Sequence, residues 1–294
     1  MSWVTFVLVV LGLIFLALIV YWQFIIAEGT YLGSWAVTWL YDWSAHVYER
    51  IKGFNVGDEQ WFLGLPLARA LAMIPAPLVL DVATGTGRLP RALLRQPAFE
   101  GRVIGLDLSR RMLREAVQRT AQFADRLTYI WQDAQELPFE DGTFDAVTCL
   151  EALEFMPDPH RVIVELIRVL RPGGVLLLTN RIGKDARFLP RRVFPRDEFE
   201  LMLQETYPLE DVKVQVWQVD YDLAWGVKRG EPRGGSIRPL PDIMRCPHCG
   251  HRLGPALADS GNGANEAAYH CRGCRRVYPI AEDGVIEIAQ PRRP

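Results

Sequence analysis

Four of the five cysteines in this 294-residue chain fall into two Cys-x-x-Cys pairs, Cys246/Cys249 and Cys271/Cys274. Two thiolates at that spacing take adjacent corners of a tetrahedron and two such pairs complete it, so the set predicts a four-cysteine zinc ribbon and not a disulfide framework. His248, His251 and His270 lie nearby as bystanders, and Cys149 stands alone in an apolar stretch. A second constellation lies in Val79-Leu80-Asp81-Val82-Ala83-Thr84-Gly85-Thr86-Gly87, an apolar run entering a glycine turn that a helical pattern follows. Glycines let the backbone approach a ligand, and a helix start offers unpaired N–H groups. About 20 residues past Gly87, the run Val103-Ile104-Gly105-Leu106-Asp107 ends in a carboxylate, the position that accepts hydrogen bonds from ribose hydroxyls in doubly wound folds. Together these describe a nucleoside pocket. A dinucleotide fingerprint requires glycine three residues after Gly87, and Pro90 stands there instead, which argues against a dehydrogenase.

The elements that must hold these residues follow from periodicity. Apolar runs bounded by turn residues predict strands near 78–82, 102–107, 127–131, 144–149 and 174–180, with helices near 88–96, 109–122 and 159–170 between them. Pro159 opens the last helix behind Asp158 as N-cap, where proline's fixed φ is tolerated. The alternating runs 212–216 and 221–227 predict a closing antiparallel pair. Strand and helix in alternation specify an α/β fold, a doubly wound and mostly parallel seven-stranded sheet covered on both faces.

Within that frame, four segments occur in the order of a known family. The glycine turn and Asp107, then Trp131-Gln132-Asp133-Ala134-Gln135-Glu136-Leu137-Pro138-Phe139, then Phe144 through Asp158, then Arg168-Val169-Leu170-Arg171-Pro172-Gly173-Gly174 resemble class I S-adenosylmethionine-dependent methyltransferases, especially the ubiquinone/menaquinone biosynthesis type. The likeness covers roughly Tyr41 to Arg229. It implies a Rossmann-like domain in which Asp81 lies near the methionine part of the cofactor. The turn of Ala83, Gly85, Thr86 and Gly87 would wrap that cofactor. Asp107 would hold the ribose with Leu108 beside the adenine, Asp133 with Ala134 would face the adenine amino group, and Leu150 belongs to the loop closing over the methyl group. Many relatives place a histidine where this chain has Phe155. The C-terminal segment Arg245-Cys246-Pro247-His248-Cys249 with Cys271 to Ile280 resembles the small zinc-ribbon activator subunits of RNA and protein methyltransferases, here fused to the enzyme and departing from them at Asp283-Gly284-Val285-Ile286 and in the insert Asp259 to Asn265.

From Trp3 to Ala27 there is no charged side chain. A spanning helix needs about 20 apolar residues, and Tyr21 and Trp22 suit headgroup depth, so 1–28 is expected to be an uncleaved transmembrane anchor and not a signal peptide. Tyr31, Trp35, Trp39, Trp43 and Val47 recur every fourth residue and predict an amphipathic, aromatic-rich helix within 29–60. Its stripe is expected to pack on the following domain, or to lie on the bilayer. The remaining division is a methyltransferase domain over 61–229, a linker over 230–241 rich in Gly and Pro, and the zinc ribbon over 242–294.

The formal net charge of -2, with both signs mixed, argues against nucleic acid as a partner. The expectation is a membrane-bound, single-pass methyltransferase with its folded parts on the cytoplasmic side. Its cofactors would be S-adenosylmethionine and zinc, and its substrate a lipophilic small molecule such as a quinone precursor or lipid. The alternatives are a protein or RNA substrate guided by the ribbon, and a non-catalytic binding protein or scaffold. Asp42, His46, Glu151 and Glu154 are the proton acceptors within reach of such a site by sequence, and none is assigned as catalytic.

Overall fold

The computed structural model describes residues 2–231, 238–259 and 265–290. Seven strands build the main sheet: β1 (Leu78–Val82), β2 (Arg102–Asp107), β3 (Leu127–Trp131), β4 (Phe144–Cys149), β5 (Leu170–Arg181), β6 (Leu209–Gln218) and β7 (Tyr221–Lys228). Their order across the sheet is β3-β2-β1-β4-β5-β7-β6, parallel except for β7, which runs antiparallel to both neighbours. Chain order reverses between β1 and β4. A crevice must open there, because the connections leaving these two strands run to opposite sides of the sheet.

Every residue of β1 and β4 is buried, as expected of strands covered on both faces. Leu80 and Val82 pack with Val162, Ile163 and Leu166 of the helix Pro159–Val169 on one side, and Val79 packs with Leu89, Leu93 and Leu113 on the other. Asp158 caps the former helix by accepting the N–H of Arg161 at 3.0 Å.

The C-terminal module adds an eighth strand to the seven predicted. Its small antiparallel sheet joins β8 (Leu253–Asp259), β9 (Asn265–Cys271) and β10 (Val277–Pro279), and its last strand, β11 (Ile286–Glu287), leaves that sheet and pairs parallel with β3 of the main one. The module is further joined through the bridge Phe139–Met244 and through Glu140, which meets Arg238, Arg245 and Arg252 at 2.7–3.2 Å. Residues 232–237 of the expected linker and 260–264 of the expected insert lie outside the described residues.

The N-terminal segment corrects one expectation. Trp3–Ile26 is a continuous 24-residue helix with no buried apolar window, long and apolar enough to cross a membrane. Its first part is α1 (Trp3–Tyr21). Residues 29–60, however, are not one helix but α2 (Ser34–Ser44), α3 (Tyr48–Lys52) and shorter turns. Gly29, Gly33 and Gly53 bound the helical pieces, each at a positive φ that helix geometry does not admit, and a turn at 45–47 parts α2 from α3. Nor does the tryptophan stripe pack on the domain, for Trp35, Trp39 and Trp43 are all exposed, and it is the opposite face of α2 that lines the cleft.

Candidate active site

The crevice at the tips of β1, β2 and β4 is a cleft of about 790 Å³ including its open mouth. Ala83, Gly85, Asp107, Leu108, Asp133, Ala134 and Leu150 line it, which brings together seven residues named from sequence. A smaller cavity of about 360 Å³ adjoins it, sharing Tyr48, Ala83, Gly85 and Leu150 and reaching Asp81 and Thr86.

The turn after β1 explains the shape. Ala83 sits at φ 55 and Gly85 at φ 54, so the chain doubles back tightly at the strand's end. A side chain grafted at Gly85 would meet nothing within 4 Å, which means that its bare backbone faces open cleft. Gly87, at φ 78, starts the helix Arg88–Leu94 and lines neither cavity; a Cβ there would come within 2.5 Å of the Tyr129 hydroxyl. Glu151, past the end of β4, is a second non-glycine residue at positive φ, φ 51, opposite Ala83. Such strain gathers at sites where backbone placement matters more than local comfort.

Asp107 ends β2 with both carboxylate oxygens aimed at backbone: Oδ2 accepts the N–H of Gly85 at 2.8 Å and Oδ1 that of Ser109 at 2.8 Å. Each oxygen keeps a lone pair for a further donor from the cleft. Burial pushes the Asp107 carboxyl up to about 6, outweighing those two N–H groups, and the nearby charge of Asp42 adds to the rise. Asp81 is buried inside β1, accepting the hydroxyls of Thr84 and Thr148 at 2.6 Å each, and burial likewise raises it to about 6. It therefore shapes the turn from within, at the edge of the smaller cavity. Thr86 turns away from the larger cleft and donates to Glu49 of α3 at 2.7 Å. Asp133 holds the loop after β3 by accepting the N–H of Gln135 at 2.9 Å.

Sequence reasoning missed the cleft's second wall. Ser34, Val37, Thr38 and Tyr41, spaced as one face of α2, line the cleft together with Tyr48. The spacing was visible, but the tryptophans on the other face dominated it. Asp42 fastens this helix, accepting the Ser109 hydroxyl at 2.5 Å and the Arg111 N–H at 3.2 Å. Phe155, Met156 and Pro157 complete the apolar side, with Phe155 edge-on to Tyr41 at 5.8 Å between ring centres.

The four proton acceptors considered from sequence are engaged or distant. Glu151 lines the cleft but pairs with Arg88 at 3.0 Å, Glu154 accepts the Tyr221 hydroxyl at 2.6 Å, Asp42 serves Ser109, and His46 is exposed and outside the cleft.

The module's thiols gather at one point. Donor atoms of Cys246, Cys249, Cys271 and Cys274 all lie within 4.8 Å of one another, with Cys246–Cys274 at 3.6 Å and Cys249–Cys271 at 3.3 Å. A disulfide needs about 2.05 Å. Tetrahedral zinc with bonds of about 2.3 Å sets sulfurs about 3.8 Å apart, so the donor set fits that metal. Each pair is followed by a left-handed residue, Gly250 at φ 72 and Arg275 at φ 60, which turns the backbone round the sulfurs.

Switch-point crevice, glycine turn and strand-end carboxylate define a doubly wound, Rossmann-like domain with a nucleoside-sized cleft. Residues 80–178 match the family model described as a methyltransferase domain. It is similar to the demethylmenaquinone methyltransferase of Clavibacter sepedonicus, 34% identical over 143 residues, covering 48% of this chain and 56% of that protein. It is also similar to the 2-phytyl-1,4-naphtoquinone methyltransferase of Synechococcus elongatus, 37% identical over 142 residues, covering 47% of this chain and 60% of that one. The chain thus spans about half the length of the curated relatives it matches. Among solved structures, Haemonchus contortus phosphoethanolamine N-methyltransferase 2, in complex with phosphomonomethylethanolamine and S-adenosylhomocysteine, superposes with a TM-score of 0.52 at 21% identity, covering 64% of this chain and 58% of that one, a likeness of fold.

Proposed function

We propose that the protein is an S-adenosylmethionine-dependent methyltransferase that works at a membrane on a lipophilic acceptor of the quinone-precursor type. The observation that carries the reading is the pairing of Gly85 with Asp107 across the crevice: a turn stripped of side chain toward open space, tied to a strand-end carboxylate with lone pairs to spare. Ribose hydroxyls are the donors such a carboxylate accepts. The named relatives act on naphthoquinone-type acceptors, and the 24-residue apolar helix would hold the enzyme where such molecules dissolve.

When bound, the cofactor supplies a methyl group on a sulfonium, already electrophilic. The protein's own residues then have three tasks. Asp107, Asp133 and the backbone at Gly85 would fix the nucleoside, Leu108 and Ala134 would give its base an apolar bed, and Leu150 would lie toward the methyl group. Tyr41, Phe155, Met156 and Pro157 wall the opposite side, keeping water out and aligning the acceptor. Glu151 and Glu154 are committed to Arg88 and Tyr221, so alignment does most of the work. Cys246, Cys249, Cys271 and Cys274 would hold zinc as a structural ion. Because the cofactor is cytosolic, the folded parts of a single-pass anchor would face the cytoplasm.

Titration calorimetry with S-adenosylmethionine is the first test, and no heat with the intact protein ends the proposal. Membranes then incubated with methyl-labelled cofactor should carry label in the lipid extract; label confined to protein or RNA would move the substrate class.

A further inference from the structure

Helix α2 has two faces with different business. Ser34, Val37, Thr38 and Tyr41 line the cleft, while Trp35, Trp39 and Trp43 are 69%, 58% and 66% exposed in one stripe. An apolar stripe of three indoles left in water marks a docking surface. Two observations say what covers it. First, the apolar helix Trp3–Ile26 lies immediately upstream and its end is bolted to the body. Trp22 stacks on Tyr31 at 5.1 Å and donates from Nε1 to the Phe188 carbonyl at 3.0 Å, and the Tyr31 hydroxyl donates to the Pro190 carbonyl at 3.0 Å. Second, the loop so fastened carries Lys184, Arg187 and Arg191, all exposed and without an ion-pair partner among the described residues, around the exposed Phe188. Arg192 of the same loop turns inward to the Met156 carbonyl instead.

We infer that α2 and the loop 183–192 form one membrane-docking surface, seated at headgroup level on a bilayer that contains anionic lipid. Indole rings favour that depth, and a basic loop is drawn to anionic headgroups. α2 itself has no Lys or Arg, so the charge an interfacial helix usually carries on its own polar face comes here from a loop distant in sequence. The inference rests on the reading that Trp3–Ile26 spans the membrane. It makes α2 the partition between bilayer and cleft, so a lipid-soluble acceptor reaches Tyr41 and Phe155 from the lipid side.

The test uses the full chain in nanodiscs of phosphatidylcholine, with and without phosphatidylglycerol, and tryptophan quenching by lipids brominated on the acyl chain. W35Q/W39Q/W43Q should lose most of the quenchable emission beyond that of Trp3 and Trp22 while keeping cofactor binding. K184Q/R187Q/R191Q should lower quenching only where the anionic lipid is present. Disc-bound protein whose quenchable emission is unchanged in W35Q/W39Q/W43Q would overturn the inference, as would a stripe buried by self-association and silent to lipid. Protein that fails to elute with the discs at all would overturn the anchor along with it, a separate and recognisable result.

Discussion

Asp107 accepts the backbone N–H of Gly85 at 2.8 Å, so the end of the second strand and the turn after the first are one rigid unit. Hydrogen bonds to a charged group are worth about 1.5–3 kcal/mol each. Asp107→Ala is therefore expected to weaken S-adenosylmethionine binding by roughly 10–100-fold, measured by calorimetry, and Asp107→Asn to recover part of the turn but not the affinity.

The same carboxyl gives a pH signature. Burial raises Asp107 to about 6, and hydroxyl donors favour its ionised form, so affinity should be full above pH 6 and fall below it. Stability of the cofactor-free protein has the opposite sign. A carboxyl raised in the folded state favours the fold when protonated, so that contribution is present below about pH 4 and is lost as pH rises through about 6. Affinity rising with pH while the melting temperature falls is the expected result; a flat affinity profile in the wild type would remove Asp107 from the site.

Two glycines two residues apart should fail differently. Gly85→Ala places a methyl in open cleft at φ 54, so it should cost cofactor affinity more than stability. Gly87→Ala drives a methyl to within 2.5 Å of the buried Tyr129 hydroxyl at φ 78, and should lower stability by about 1–3 kcal/mol. Thermal melts and calorimetry on both variants check the contrast.

Arg88 bridges Glu59 at 2.6 Å and Glu151 at 3.0 Å, and lies over the Phe54 ring at 3.3 Å. Arg88→Met strands two buried carboxylates, an outcome that costs about 3–5 kcal/mol in comparable pairs. Denaturant unfolding of the variant in detergent should show an unfolding free energy lower by that amount.

Zinc should be present at one per chain by elemental analysis, and lost in Cys246→Ser/Cys271→Ser. Because Ile288 and Ala289 donate to the Trp131 carbonyl at 3.1 and 2.9 Å, and Trp131 donates to that of Leu108 at 2.8 Å, the module braces the cleft's second strand. Loss of the metal should lower cofactor affinity roughly 5-fold or more; unchanged affinity would confine the metal to the module's own folding.

The parallel strands were legible because burial on both faces writes them as mostly apolar runs, such as Leu78–Val82, broken only by Asp81, and Phe144–Cys149, broken by Asp145 and Thr148. The cleft's floor was legible because glycine turn and terminal carboxylate have fixed spacing. What stayed hidden depends on distant partners. β11 is two residues long, too short for any periodicity, and exists only because β3 offers it a place. α2 carries two apolar patterns at once, and only the fold decides which face meets the cleft. Lys184, Arg187 and Arg191 gain their meaning from Trp22, far away in sequence.

The pairing of Ile286 with Ile130 also covers the open edge of the main sheet. Until residues 286–287 take their place, β3 is a bare edge, its unpaired amides open to any passing strand. A molecule whose module has not docked carries a sticky margin there, so the two-residue strand guards against edge-to-edge aggregation as well as finishing the sheet.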